Sequence, residues 1–308
     1  MQSKTNPSGE KFQGTSQKRR PRRWILAAAV LAAVILAMGL FVGSRPRGMA
    51  HYLLLGVDGW GLNVEGAGRS DVIMLASLDY DENRIVLTSF ARDGLIQPQG
   101  FTSQIKINTL VRYTDGEQGL VDYIQTTYGV PIDGYFVVNF SGAVEMIDAI
   151  GGVTVELTAQ EVQYLKRMAG DYDNYHLHEG ECRMNGAQAL AYMRCRKLDN
   201  DYGRQNRQGN VLRAAMDELR NITVGKALKL LESLDGLYRT DLSAARQAEL
   251  VKNLVHLRRA SLERHSIPAQ DAYSYATASD GSSGLRFNLE KHQVMLREWL
   301  GLEAPAEE

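Results

Sequence analysis

A chain of 308 residues that is 44% hydrophobic can bury one large core or two modest ones, which excludes low-complexity disorder for most of its length. Its formal net charge of -1 gives no ground for a nucleic-acid partner, which calls for a strong basic excess. The basic residues are nevertheless unevenly placed.

Residues 1–23 are polar, end in KRRPRR and cannot form a packed core, so they read as a disordered tail. Residues 24–43, WILAAAVLAAVILAMGLFVG, form an uncharged run of the roughly 20 residues with which a helix crosses a bilayer, and they carry no polar stripe. Lys18, Arg19, Arg20, Arg22 and Arg23 precede this run, against Arg45 and Arg47 after it, which keeps the N-terminus cytoplasmic. The run is long for a signal-peptide core and no clear A-x-A site follows, so it reads as an uncleaved single-pass anchor in the cell membrane. After a linker at 44–50, residues 51–302 form an extracytoplasmic domain, and 303–308 is an acidic tail. The two cysteines, Cys182 and Cys195, would then lie outside the cell, and a disulfide between them is expected.

Within the domain, residues 52–56 (YLLLG) read as a buried strand that delivers Asp58 at its C-terminal end, where open α/β sheets build their sites. A glycine-rich loop at 59–68 follows; it lacks the Gly-Lys-Ser/Thr of a phosphate-binding P-loop. Residues 72–78 and 84–90 read as a hairpin joined by the turn formers of 79–83. Antiparallel pairing brings Arg69 and Asp71, at the start of one strand, to the same edge as Arg92 and Asp93, at the end of the other. Lys106 follows a loop with Pro and Gly and reaches the same mouth.

A helix is expected at 115–128, a strand at 134–140, a helix capped by Ser141, a strand at 153–157 and a helix at 159–169. The spacing of His176 and His178 suits zinc, but no further ligand cluster completes a site. Asn185 caps a short helix to Met193, which delivers Arg194 and Arg196. A long helix from Gly203 carries Arg204 and Arg207 in its first turn, three apart and on one face, where they oppose the helix dipole unless an anion binds there. Two amphipathic helices over 224–262, a loop or hairpin at 274–283 and a helix capped by Asn288 complete the chain. Alternating strands and helices give an α/β class with a central sheet.

The carboxylates and cations so gathered point to phosphate chemistry. Asp58 and Asp71 offer hard oxygen ligands for Mg2+ or Mn2+. The arginines would hold a pyrophosphate and stabilise charge moving to the leaving group, and Asp93 would take the proton of an attacking hydroxyl.

GVDG, GRSD, SFARD, KIN, VVNF, GGV, MNGAQALAYMRCRK and GRQNRQ, in this order behind one N-terminal anchor, resemble the LytR-CpsA-Psr family of cell-wall enzymes over residues 52–219, with a C-terminal helical part at 220–302. The resemblance implies a three-layer α-β-α fold with a central mixed sheet, preceded by one transmembrane helix. It also implies transfer of a glycopolymer from a polyprenyl-pyrophosphate carrier to a peptidoglycan hydroxyl, making a phosphodiester. The family's pyrophosphate-binding residues correspond to Arg69, Arg92, Lys106, Arg194, Arg196, Arg204, Arg207 and Gln208, and its acidic metal ligands to Asp58 and Asp71. The chain departs from the pattern at Trp60, where the family often has Arg, and at Ala91, where it usually has Pro. The family's lipid tunnel would be lined by faces such as Val144, Ile147 and Leu212. Two other functions use the same residues: a hydrolase passing the same bond to water, and a non-catalytic wall-binding or regulatory protein.

Overall fold

The computed structural model describes residues 46–57, 69–168, 176–195, 198, 201–220 and 222–302. The expected span at 24–43, Asp58, Trp60 and Arg196 lie outside them. Among the described residues no helix is long and apolar enough to cross a membrane.

The strands are β1 (Met49–Val57), β2 (Ser70–Asp79), β3 (Arg84–Phe90), β4 (Leu95–Ile96), β5 (Ile105–Lys106), β6 (Gly134–Val138), β7 (Val153–Leu157), β8 (Gly180–Met184), β9 (Tyr238–Thr240), β10 (Ser261–Ile267), β11 (Tyr273–Thr277) and β12 (Ser283–Phe287). The α-helices are α1 (Gly116–Tyr128), α2 (Phe140–Ala149), α3 (Ala159–Arg167), α4 (Gly186–Met193), α5 (Asp201–Leu219), α6 (Val224–Ser233), α7 (Ala244–His256) and α8 (Leu289–Leu300), and a 3-10 helix spans Ile107–Arg112.

A six-stranded mixed sheet runs in the order β10-β3-β2-β1-β6-β9. β1 is central: it pairs antiparallel with β2 and parallel with β6, with Gly56 opposite both Val72 and Val138. That register sets the start of β2 and the ends of β1 and β6 at one end of the sheet.

Alternation along the strands sorts side chains between two helical layers. Leu53, Leu55, Ile73 and Leu75 pack with Leu120 and Ile124 of α1 and Leu296 of α8 on one face. Met74, Ala76 and Leu87 pack with Leu212 and Met216 of α5 and Leu250 of α7 on the other. Each fully buried leucine contributes roughly 1.5–3 kcal/mol, so these two layers define a three-layer α-β-α arrangement. A third cluster, including Ile147, Val153, Leu165, Met184 and Tyr192, joins α2, α3 and α4 to the separate β7–β8 ribbon.

Several expectations need correction. Residues 220–302 are not simply helical, because β9 and β10 close the two edges of the central sheet. Asn139, not Ser141, caps α2, accepting from Gly142 N at 2.8 Å. The long helix starts at Asp201, two residues before Gly203. The expected bridge is not formed: Cys182 and Cys195 are free and buried. Cys182 Sγ instead donates to the His178 carbonyl at 3.1 Å, and Cys195 lies near Tyr164, where it helps raise that phenol's pKa after burial.

Candidate active site

The β2–β3 hairpin forms as its turn residues dictate: Asp79 accepts from Asp81 N and Glu82 N and pairs with Arg84, while Asn83 takes a positive φ of 53°. Pairing runs antiparallel from Asp79 opposite Arg84 to Met74 opposite Ser89, so the other ends of the two strands converge. There the expected charges meet in a chain. Arg92 Nη1 lies 2.5 Å from Asp71 Oδ1, and Arg92 Nε lies 3.4 Å from Asp93 Oδ2. Lys106 Nζ is 3.3 Å from Asp93 Oδ1. The side chains of this chain are between 16% and 29% exposed, so the charges are partly desolvated yet reachable from solvent. Arg69 precedes β2 and is exposed.

The second half of the site comes from α4 and α5. Asn185 caps α4 in a reciprocal pair with Gln188, and the helix ends at Arg194, whose guanidinium carbon lies 4.2 Å from the centre of the Phe140 ring. Gly186 lets α4 approach α2 closely, since a Cβ there would stand 2.1 Å from the Val144 carbonyl oxygen. Of the three expected tunnel residues, Ile147 and Leu212 line a cavity and Val144 does not.

The cavity, about 410 Å³, lies between the sheet and helices α2, α4 and α5. Its interior is apolar, formed by Leu54, Val72, Phe136, Met146, Leu190 and Leu212 among others. Its polar end gathers Asp71, Asn139, Arg194, Arg204 and Gln208 from four separate elements. Asp71 thus belongs both to the ion-pair chain and to the cavity wall, and joins the two halves of the site.

Arg204 and Arg207 part company. Arg204 and Gln208, four apart, share the cavity face of α5. Arg207 turns to the other flank of the helix, where Nη2 donates to the Cys195 carbonyl at 2.9 Å and Nη1 lies 3.4 Å from Glu161 Oε1. Residues three apart differ by about 60° around a helix, and here that interval spans the ridge between two faces. Arg207 braces the segment carrying Arg194 instead of lining the cavity beside Arg204. Asp93, the expected proton acceptor, is held between two cations, whereas Asp71 is the carboxylate lining the cavity.

Among the described residues no group of three His, Cys, Asp or Glu side chains converges as a metal site. The described residues therefore hold no closed protein cage, and of the two expected ligands only Asp71 lies among them. A hard cation there would have to draw most of its oxygens from phosphate and water.

A family model, LytR_cpsA_psr, matches residues 31–294. The chain belongs to the LytR_cpsA_psr family. Among curated relatives, the polyisoprenyl-teichoic acid–peptidoglycan teichoic acid transferase TagU of Halalkalibacterium halodurans is 31% identical over 191 residues, 61% of this chain and 60% of that protein. TagU of Oceanobacillus iheyensis is 31% identical over 218 residues, 68% of this chain and 64% of that protein. TagV of Bacillus subtilis is 26% identical over 257 residues, covering 80% and 64% respectively. The chain spans about three fifths of the length of these relatives. Among solved structures, TagT bound to LI-WTA superposes with a TM-score of 0.67 at 22% identity, covering 84% of this chain and 93% of that one. Bacillus subtilis TagV gives a TM-score of 0.64 at 23% identity, with 84% and 100% covered. The LytR_cpsA_psr match takes in the ion-pair chain, the cavity and the β11–β12 hairpin.

Sequence reasoning left Asn139 and Phe140 out of the site, although both stand in the VVNF motif. Their signal was the helix start itself: an Asn after a strand caps α2 and sets its first turn at the cavity's polar end.

Proposed function

We propose that this chain is a membrane-anchored, extracellular phosphotransferase that moves a glycopolymer from a polyprenyl-pyrophosphate carrier to a peptidoglycan hydroxyl. One observation carries this reading: an apolar cavity of about 410 Å³ opens onto a cluster of Arg194, Arg204, Gln208 and Asp71, continued by Arg92, Asp93 and Lys106. An anionic head joined to an apolar tail is the ligand whose two parts match that division, and the volume falls within the roughly 300–1,000 Å³ of ligand sites. The curated TagU and TagV relatives, named as polyisoprenyl-teichoic acid–peptidoglycan teichoic acid transferases, support the same substrate class.

In this mechanism the pyrophosphate lies across the two halves of the site, held by Arg69, Arg92, Arg194, Arg196 and Arg204 with Lys106 and Gln208. The acceptor oxygen forms a bond to the phosphorus bearing the glycan. The bond from that phosphorus to the bridging oxygen breaks, and polyprenyl phosphate leaves with the bridging oxygen. Guanidinium forks match the equatorial oxygens and stabilise the charge that gathers on the leaving phosphate. The acceptor's proton passes to Asp93, the carboxylate of the cluster that is not assigned to the metal. Mg2+ or Mn2+, held by Asp58 and Asp71, would neutralise pyrophosphate charge.

The test is to incubate the full chain in detergent micelles with a synthetic polyprenyl-pyrophosphate saccharide, a peptidoglycan oligomer and Mg2+. A phosphodiester product is expected. Release of the saccharide phosphate to water with acceptor present would favour the hydrolase, and neither reaction by a folded protein would leave a binding role.

A further inference from the structure

We propose that the β11–β12 hairpin is the platform on which the acceptor's sugar ring stacks, with Tyr275 as its contact surface. This rests on the transferase reading above and names the place of its second substrate.

The hairpin comes from beyond the motif core, yet it is fastened to the ion-pair chain. Leu285 N donates to the Asp93 carbonyl at 2.8 Å, and Gly94 forms a parallel bridge with Leu285. Ser279 N, in the connecting turn, donates to the Gln104 carbonyl, and Asp280 lies near enough to Lys106 for that cation to help hold its carboxyl below the ordinary range, after its hydrogen bonds from Ser282. On the other side Tyr273 stacks on Tyr202 with centroids 5.6 Å apart, two residues before Arg204 in α5. The hairpin therefore touches both halves of the site.

Tyr275 stands directly across from Leu285 in the hairpin register. Cross-strand partners point to the same face, and residues two apart do so as well. Tyr275 thus shares the face of Leu285, whose side chain is buried, and of Tyr273, whose ring it meets edge-on at 5.7 Å. An inward face would ordinarily bury such a ring, yet Tyr275 is 72% exposed. It stands open to solvent on the strand next to the one bonded to Asp93, with its Cα about 5 Å from that of Leu285. An open tyrosine face beside charged groups suits the apolar C–H face of a pyranose, whose hydroxyls stay solvated, and its two-rotor side chain loses little entropy on contact.

The experiment is a calorimetric titration of the full chain in detergent micelles with an N-acetylglucosamine–N-acetylmuramic acid tetrasaccharide, alongside the transfer assay. Tyr275→Ala is expected to weaken binding and raise the acceptor KM about tenfold, with the donor KM unchanged; Tyr275→Phe keeps wild-type values. Tyr113→Ala removes another tyrosine, 62% exposed, and is expected to change nothing. Equal tetrasaccharide affinity in wild type and Tyr275→Ala, or no binding by wild type, overturns the platform. Absence of transfer with the binding difference intact would fault the catalytic reading and leave the platform standing. Because the ring is exposed, all three variants should melt with the wild type, and Tyr275→Phe separates ring loss from any disturbance of the hairpin.

Discussion

Arg92 reaches both Asp71 and Asp93, with its side chain 19% exposed. Ion pairs this close to water are worth about 0–1 kcal/mol each, so the cluster does little for the fold. A guanidinium aimed at developing charge contributes far more to a transition state, on the order of 10²–10³ in rate per donor removed. Arg92→Ala and Asp71→Asn are therefore expected to cut kcat at least about a hundredfold while the melting temperature moves by only a few degrees. Steady-state kinetics with parallel calorimetry checks this, and a loss of folding would make both residues structural. His51 shows the opposite balance. It is 2% exposed, its Nδ1 lies 2.8 Å from Ser77 Oγ, and burial lowers its pKa below 6.5 against the milder raising effect of Asp133. The unfolded chain then binds a proton that the folded one resists, so this contribution is intact above pH 6.5 and is lost as pH falls toward the depressed folded value. His265 adds in the same direction, lowered chiefly by burial. Melting curves between pH 8 and about pH 5 should show falling stability, and His51→Gln should flatten that dependence. At this scale the sequence was informative about which charges belong together, because a hairpin forces Asp71 and Arg92 to one edge. The split between Arg204 and Arg207 was not legible, since a three-residue interval leaves open which side of a ridge each will take.

The elements most clearly foreshadowed carry local stop and start signals: Asn185 and Asn288 at helix N-termini, and Gly129 and Gly301 in left-handed conformations at helix ends. β10 escaped because SLERHSI shows no clean alternation. It is an edge strand, exposed at Ser261 and Arg264 and half-buried at Glu263, His265 and Ser266, and it is specified by the partner β3 instead of by its own pattern. β9, three residues long, gave no periodic signal at all. α2 and α4 approach closely at Gly186, and both helices contribute to the wall of the cavity. Gly186→Ala, whose Cβ would meet the Val144 carbonyl at 2.1 Å, is expected to push the helices apart at a stability cost of about 1–3 kcal/mol. Denaturant melts should register that loss together with a higher donor KM. A neutral Gly186→Ala would mean that the helix pair does not set the cavity. Conversely, Ala143→Trp places bulk in the cavity itself. It should raise the KM for long-chain donors at least about tenfold and leave short-chain analogues little affected, because only the long tail needs the volume.

Across the molecule, polar and apolar requirements are separated along one axis of the sheet: charges gather at the Asp71 and Asn139 end, and apolar volume lies beneath them between sheet and helices. A second apolar cavity of about 330 Å³, lined by Ile85, Leu230, Val255 and Leu257 among others, lies beneath α6 and α7 and has Arg258 among its lining residues. It differs from the first in lacking a carboxylate and a cluster of cations, so the proposed place of the carrier's tail is the cavity between α2, α4 and α5. The most direct measurement is photocrosslinking: a polyprenyl-pyrophosphate saccharide with a diazirine on its first isoprene units is irradiated with the full chain in detergent micelles, and the adducts are mapped by mass spectrometry. Adducts are expected on Val72, Phe136, Met146 or Leu212, and Arg204→Ala should suppress them. Adducts confined to Ile85, Leu230 or Val255, or none at saturating donor, would contradict that placement of the tail.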